Sequence, residues 1–140
     1  INGKLSEINS AIGLCQLNLI DEYIIQRKEL FDLYRNKLSN KVGLLNIPQN
    51  LNYNYSYFPV FFKSEKIRNH LYDQLKLHNI YARKYFYPTI NNFEFCKEYL
   101  NETDVSNSLS ISNTVLCLPI YPSLGRDEAL KISNLILDLI

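Results

Sequence analysis

The first third of the chain constrains the fold most. Between Ser6 and Leu38 there is no proline and Gly13 is the only glycine, so nothing in the backbone chemistry stops a helix. Apolar residues at Ile8, Ile12, Leu17, Ile20, Ile24, Leu30, Phe31, Leu33, Tyr34 and Leu38 recur at helical spacing. Asp21, Glu22, Gln26, Arg27, Lys28 and Glu29 supply a polar face. Ser6 offers a hydroxyl to an orphan backbone N–H, and Glu7 suits the positive end of the dipole. The pattern predicts one long helix over about 6–38, with room for a bend near its middle. At 1.5 Å per residue it would reach about 50 Å, longer than a globule of this size is wide. Part of it is therefore expected to pack on something outside the chain.

Beyond Gly43 the punctuation is denser. LLNIP reads as a short strand ended by Pro48, and Tyr55–Phe62 as an aromatic, β-branched strand whose Pro59 demands an edge or a bulge. Ser64 caps a helix over about 65–78, with Ile67, Leu71, Leu75 and Leu77 on one side and Asn79 as a left-handed end. Ile80–Pro88 reads as a strand or extended stretch. NNFEFCKEYL predicts a short helix, and a second opens at Asp104. Val115–Pro122 is a short buried strand with two prolines at its exit, and Arg126–Ile140 a closing amphipathic helix. The sum is an α+β fold: a long N-terminal helix leading into a small, largely antiparallel sheet of about three strands, covered by helices on one face. With 140 residues and no break in composition, 1–140 reads as a single domain.

Composition excludes more than it assigns. Fifteen basic and 14 acidic residues leave a formal net charge of +1, without the electrostatic footprint of a nucleic-acid or anionic-membrane binder. No apolar stretch reaches the ~18 residues a membrane span needs. Three cysteines, Cys15, Cys96 and Cys117, form no CxxC pair and indicate neither a disulfide framework nor a zinc site, which fits a reducing cytoplasm. Only four glycines occur, so neither GxGxxG nor a P-loop can be written. His70 and His78 share one helix without a carboxylate at metal-site spacing, and Ser123 in YPSLG lacks the nucleophile elbow. The residues alone describe an α+β domain with no self-contained catalytic apparatus.

Three stretches nevertheless carry a resemblance. INGKLSEINSAIGLCQL is similar to the segment of DegT-type nucleotide-sugar aminotransferases that reads G-x-N-x-K/R-L/M-x-E/D and runs into an alanine-rich helix. Asn2, Lys4, Leu5, Glu7, Ala11, Gly13, Leu14, Gln16 and Leu17 fall in register. ARKYFYP resembles the family's R-x-x-Y-P-like segment, and VLCLPIYPSL its L-x-L-P-x-Y-x-x-L segment before the last helix. The resemblance covers essentially the whole chain but only about the C-terminal third of a family member. It implies the small C-terminal domain of a pyridoxal-phosphate enzyme of fold type I, entered through a helix that bridges from the large domain. Both the absence of any methionine and the chain's opening at the verge of a helix agree with that.

The resemblance also implies roles. Asn2 matches the asparagine that reaches across a homodimer to the phosphate of the partner's pyridoxal phosphate, and Lys4 the basic position beside it. Arg83, Tyr85 and Tyr87 fall where family members place substrate-binding groups at the active-site entrance. On a strand these three would share one face, with Lys84 and Phe86 on the other. Arg offers a fork for a carboxylate or phosphate, and Tyr hydroxyls suit sugar groups. Many relatives carry a histidine where Phe86 stands, so no histidine role transfers. Tyr55 and Tyr57 could line the same site, but as half of an aromatic strand they are assigned to the core.

The implied reaction moves an amino group from an amino acid, usually glutamate, to a keto sugar linked to a nucleotide. The lysine that carries the cofactor lies in the large domain, so the 140-residue piece is expected to bind no pyridoxal phosphate and to be inactive alone. The alternative is a non-catalytic binding or oligomerisation module built on the eleven tyrosines, which should cover both faces of its first helix internally. Nucleic acid and membrane are not expected partners.

Overall fold

The computed structural model describes residues 3–96, 99 and 105–140. In chain order the elements are α1 (Glu7–Leu17), α2 (Ile20–Leu38), β1 (Gly43–Leu44), β2 (Phe58–Phe61), α3 (Glu65–Leu77), α4 (Ser106–Thr114), β3 (Val115–Leu118) and α5 (Arg126–Leu139). Short 3₁₀ turns occupy Ile90–Asn92, Glu94–Cys96 and Pro122–Leu124. The predicted helix opening at Asp104 begins at Ser106; Asp104 itself and most of the stretch KEYL lie outside the described residues.

The sheet is antiparallel in the order β1-β2-β3, with Gly43 opposite Phe61 and Phe58 opposite Leu118. Pro59 sits in the central strand rather than at an edge or a bulge. The reason is the direction of its missing N–H. Phe62 N–H donates to Thr114 O at 3.1 Å, so the amides of even-numbered β2 residues point to β3 and those of odd-numbered ones to β1. β1 ends at Leu44, opposite Val60, so no ladder bond is lost at Pro59.

Phe58, Val60, Phe62, Leu116 and Leu118 build the covered face of the sheet, against Leu30, Phe31, Tyr34 and Leu38 of α2, Leu71 and Leu75 of α3, and Ala129, Ile132 and Ile136 of α5. The ring of Phe31 stands edge-on to Phe58 at 4.8 Å and to Tyr55 at 5.3 Å. Tyr34 is fully buried and its hydroxyl donates to Pro119 O at 3.0 Å. Burial pushes that phenol far above its ordinary range, which keeps the proton it needs to donate.

The caps read from the sequence are present. Ser6 accepts from Asn9 N–H, Ser64 accepts from Ile67 N–H, and Asn79 takes a left-handed φ of 59°. The long first helix, in contrast, is interrupted at Asn18–Leu19, where Leu19 N–H turns to Gln16 O, three residues back, instead of four. A tightened last turn of this kind ends α1 without Pro or Gly and leaves no mark in the hydrophobic period.

The two halves of the interrupted helix differ sharply. α2 buries five side chains, whereas α1 buries none. Leu5, Ile8, Ile12, Leu14 and Leu17 stay between 55 and 74 % exposed, an apolar run that nothing among the described residues covers.

Two substitutions separate packing from hydrogen bonding in the core. Leu71→Ala is expected to lower the unfolding free energy by about 3 kcal/mol, and Tyr34→Phe by about 1 kcal/mol, read from urea midpoints. A Tyr34→Phe midpoint equal to the parent's would show that the bond to Pro119 contributes nothing.

Candidate functional site

The strand β3 also carries the site. After α3 the chain reverses at Asn79, with Ile80 N–H bonded to Leu75 O at 2.9 Å, and Ala82 is buried against the core. Arg83 then runs antiparallel to Cys117, donating to its carbonyl at 2.9 Å and accepting from its amide at 2.8 Å. The extended stretch expected over 80–88 thus meets the sheet through a single residue. That one pair of hydrogen bonds is enough to fix the backbone of Arg83 beside β3, with its side chain exposed.

The guanidinium donates from Nη1 to the Tyr85 hydroxyl at 2.6 Å and lies 5.7 Å from the centre of the Tyr85 ring. That hydrogen bond raises the Arg83 pKa above its already high value, so the group is cationic at every accessible pH. Tyr57 stands edge-on to Tyr85 at 5.3 Å. Together with Tyr81, Tyr121 and Glu128 these residues line a groove of about 590 Å³ floored by apolar residues of β3 and α5. Glu128 is paired with Lys131 at 2.6 Å, and among the described residues no carboxylate is paired with Arg83. The groove therefore offers a cation with most of its donors open, between aromatic walls, which is the equipment for an anionic group attached to a flat or sugar-like body.

Of the expected substrate residues, the structure brings Arg83 and Tyr85 together and places Tyr87 elsewhere. Strand alternation fails because the chain turns: Tyr87 N–H donates to Lys84 O at 3.1 Å. Tyr87 consequently faces α3, where its hydroxyl donates to Glu65 Oε1 at 3.0 Å. Lys84, expected on the opposite face, lies on the same side as Tyr87, its ammonium 5.7 Å from that ring. Lys4 is exposed ahead of the Ser6 cap and does not line the groove, and Asn2 lies outside the described residues.

Tyr57 belongs to the groove, not to the core assigned to it from the sequence. Period 2 put Tyr55 and Tyr57 on one face, but Tyr55 has a left-handed φ of 54°, which separates them: Tyr55 packs on Phe31 and Tyr57 on Tyr85. Tyr81 and Tyr121 were also missed. Their positions flanking ARKYFYP and within VLCLPIYPSL were the available signal.

Among the described residues no group of His, Cys, Asp and Glu could hold a metal ion, and no helix is long and apolar enough to cross a membrane. An α+β domain with an arginine-centred aromatic groove is what the geometry defines. A profile of the DegT/DnrJ/EryC1/StrS aminotransferase family matches residues 1–137, and the chain belongs to that family. It is 41 % identical to the dTDP-4-amino-4,6-dideoxy-D-glucose transaminase of Escherichia coli, over 98 % of this chain and 38 % of that protein. It is 26 % identical to the GDP-perosamine synthase of Escherichia coli O157:H7, over 94 % of this chain and 35 % of the relative. Among solved structures, Helicobacter pylori PseC, an aminotransferase involved in pseudoaminic acid biosynthesis, superposes with a TM-score of 0.88 at 18 % identity, over 99 % of this chain and 38 % of its own, which shows the shared fold. The chain thus spans somewhat over a third of the length of these relatives.

Cys117 is among the residues that line the groove, and burial pushes its thiol pKa up to about 11. Exposed Cys15 has no such burial. Thiolate being the reactive form, Cys117 is expected to react with a thiol reagent at least ~100-fold more slowly than Cys15 at pH 8, and to speed up as the pH rises toward 11. Equal labelling rates would contradict the burial of this side of β3.

Proposed function

We propose that the chain is the C-terminal small domain, 1–140, of a homodimeric cytoplasmic aminotransferase that moves an amino group from an amino acid, glutamate in the first instance, to a nucleotide-linked keto sugar. The observation that carries this is the open guanidinium of Arg83, held by Tyr85 in an aromatic groove, in a chain of this family. Arg83 takes the carboxylate of the amino-acid donor or the diphosphate of the sugar nucleotide, and Tyr85 presents its phenol to the same ligand. Tyr87, 44 % exposed on the far side of the turn, is the third substrate-side group. Asn2 is assigned to the phosphate of the partner subunit's cofactor and Lys4 to neutralising charge beside it.

Pyridoxal phosphate supplies the electron sink for such a transfer. The groove of this chain does not fit it as a covalent site. It offers anion donors but no amine, since none of the described residues that line it is a lysine. We therefore assign the cofactor to chain outside these 140 residues. A self-sufficient tyrosine-rich module fits less well, because α1 leaves its apolar residues in solvent.

In the full-length protein, Arg83→Met is expected to raise KM for the ligand that uses this groove by about 10- to 100-fold, the worth of a charge-assisted pair, with kcat little changed. Unchanged KM for both amino acid and sugar nucleotide would remove Arg83 from substrate binding. The 140-residue chain, treated with pyridoxal phosphate and borohydride, is expected to give no stoichiometric adduct on a single lysine. Such an adduct would contradict the assignment of the cofactor elsewhere.

A further inference from the structure

The turn that follows Arg83 is held from one side by a single stripe of α3. Glu65, Arg68, Asn69 and Tyr72 are spaced i, i+3, i+4, i+7 and so share one helix face. Glu65 accepts from the Tyr87 hydroxyl, Asn69 accepts from Lys84 Nζ, and the Tyr72 ring lies under that ammonium. Arg68 is the centre of the stripe. Its side chain is fully buried, its guanidinium lies 4.6 Å from the Tyr87 ring centre, and its Nη1 donates to Ser112 O at 3.2 Å. Ser112 Oγ in turn donates to Phe86 O, so the turn is gripped at Lys84, Phe86 and Tyr87.

Arg68 is a poor stabiliser in this position. Among the described residues its one carboxylate contact is to Glu65 at 3.7 Å, and both Nε and Nη2 are buried without a hydrogen-bond acceptor. A buried cation satisfied by one carbonyl and the face of one ring contributes little net stability compared with an apolar side chain of similar size. What the arrangement does supply is geometry. The sheet fixes Arg83 by its backbone, but Tyr85 lies two residues beyond that anchor, between Lys84, which Asn69 of the α3 stripe holds, and Phe86, which is held through Ser112 of α4.

We propose that Arg68 is a positioning residue: stacked on Tyr87 and joined through Ser112 to Phe86, it sets the turn so that the Tyr85 hydroxyl is presented to Arg83 before any ligand arrives. The consequence for ligand binding rests on the assignment of Arg83 and Tyr85 to the substrate. Preassembly of this kind lowers the ordering cost of binding, so its loss appears in affinity more than in the chemical step.

The test is Arg68→Met in the full-length protein, followed by hydrogen exchange with mass spectrometry and by steady-state kinetics. The peptide over 84–90 is expected to exchange about 10-fold faster, while that over 115–118, which carries the Cys117 amide bonded to Arg83, is unchanged. KM is expected to rise about 10-fold, with kcat within about twofold and the melting temperature little altered. If Arg68→Met does not fold, Asn69→Ala at a half-buried position carries the same comparison through Lys84. Exchange over 84–90 unchanged in both variants would overturn the positioning role. Faster exchange with KM unchanged would uphold it, and would show instead that the groove is not where substrate binds.

Discussion

Cys117 has a hydrogen-bonded neighbour on the edge of β3 that β2 leaves free. Leu116 and Leu118 face β2 with their backbone and the helical layer with their side chains, so the amide and carbonyl of Cys117 point the opposite way, and Arg83 takes both. Most of the site follows from that pair of bonds. They put a long cation at the rim of a buried strand, bring Tyr85 within reach of it, and leave room for Tyr57, just ahead of β2, to close the wall. The pairing with the sheet thus ends at Arg83, and the rim of the groove begins there.

Two kinds of surface result. On the covered face, α2, α3 and α5 bury apolar side chains almost completely. Along α1 the chain leaves the same residue types in water. An isolated helix of 11 residues is marginal in water even with good caps, so α1 gains its stability from whatever packs on it. The chain covers somewhat over a third of the length of its relatives, and we assign the missing cover to the remaining part of such a protein. The groove has the same incomplete character: among the described residues it offers anion donors and aromatic walls, no amine, and a single carboxylate, Glu128, that is paired with Lys131.

The fold was legible where one residue type has one physical meaning. Ser6, Ser64 and Asn79 cap as their chemistry requires, and the closing helix begins at Arg126 as the periodicity indicates. It was not legible where long-range pairing decides. Pro59 is central because β1 is only two residues long, which no local pattern records. The break at Asn18–Leu19 involves neither Pro nor Gly. For the site, Arg83 and Tyr85 were readable from ARKYFYP, but alternation failed past Lys84 because the strand lasts a single residue. Tyr57, which could have lined the site or the core, was assigned to the core because nothing local announces the left-handed backbone at Tyr55 that turns it to the groove. The α3 stripe could have been found from its i, i+3, i+4, i+7 spacing; its partner, the 84–87 turn, could not.

The central claim is that this chain is one part of a larger enzyme and that α1 is buried by the other. Amide exchange over 7–17, measured in the 140-residue chain and in the full-length protein under the same conditions, tests it most directly. The account predicts fast, nearly unprotected exchange in the short chain and strong protection in the full-length protein, while 115–118 is protected in both. Equal exchange over 7–17 in the two, whether fast or slow, would contradict it.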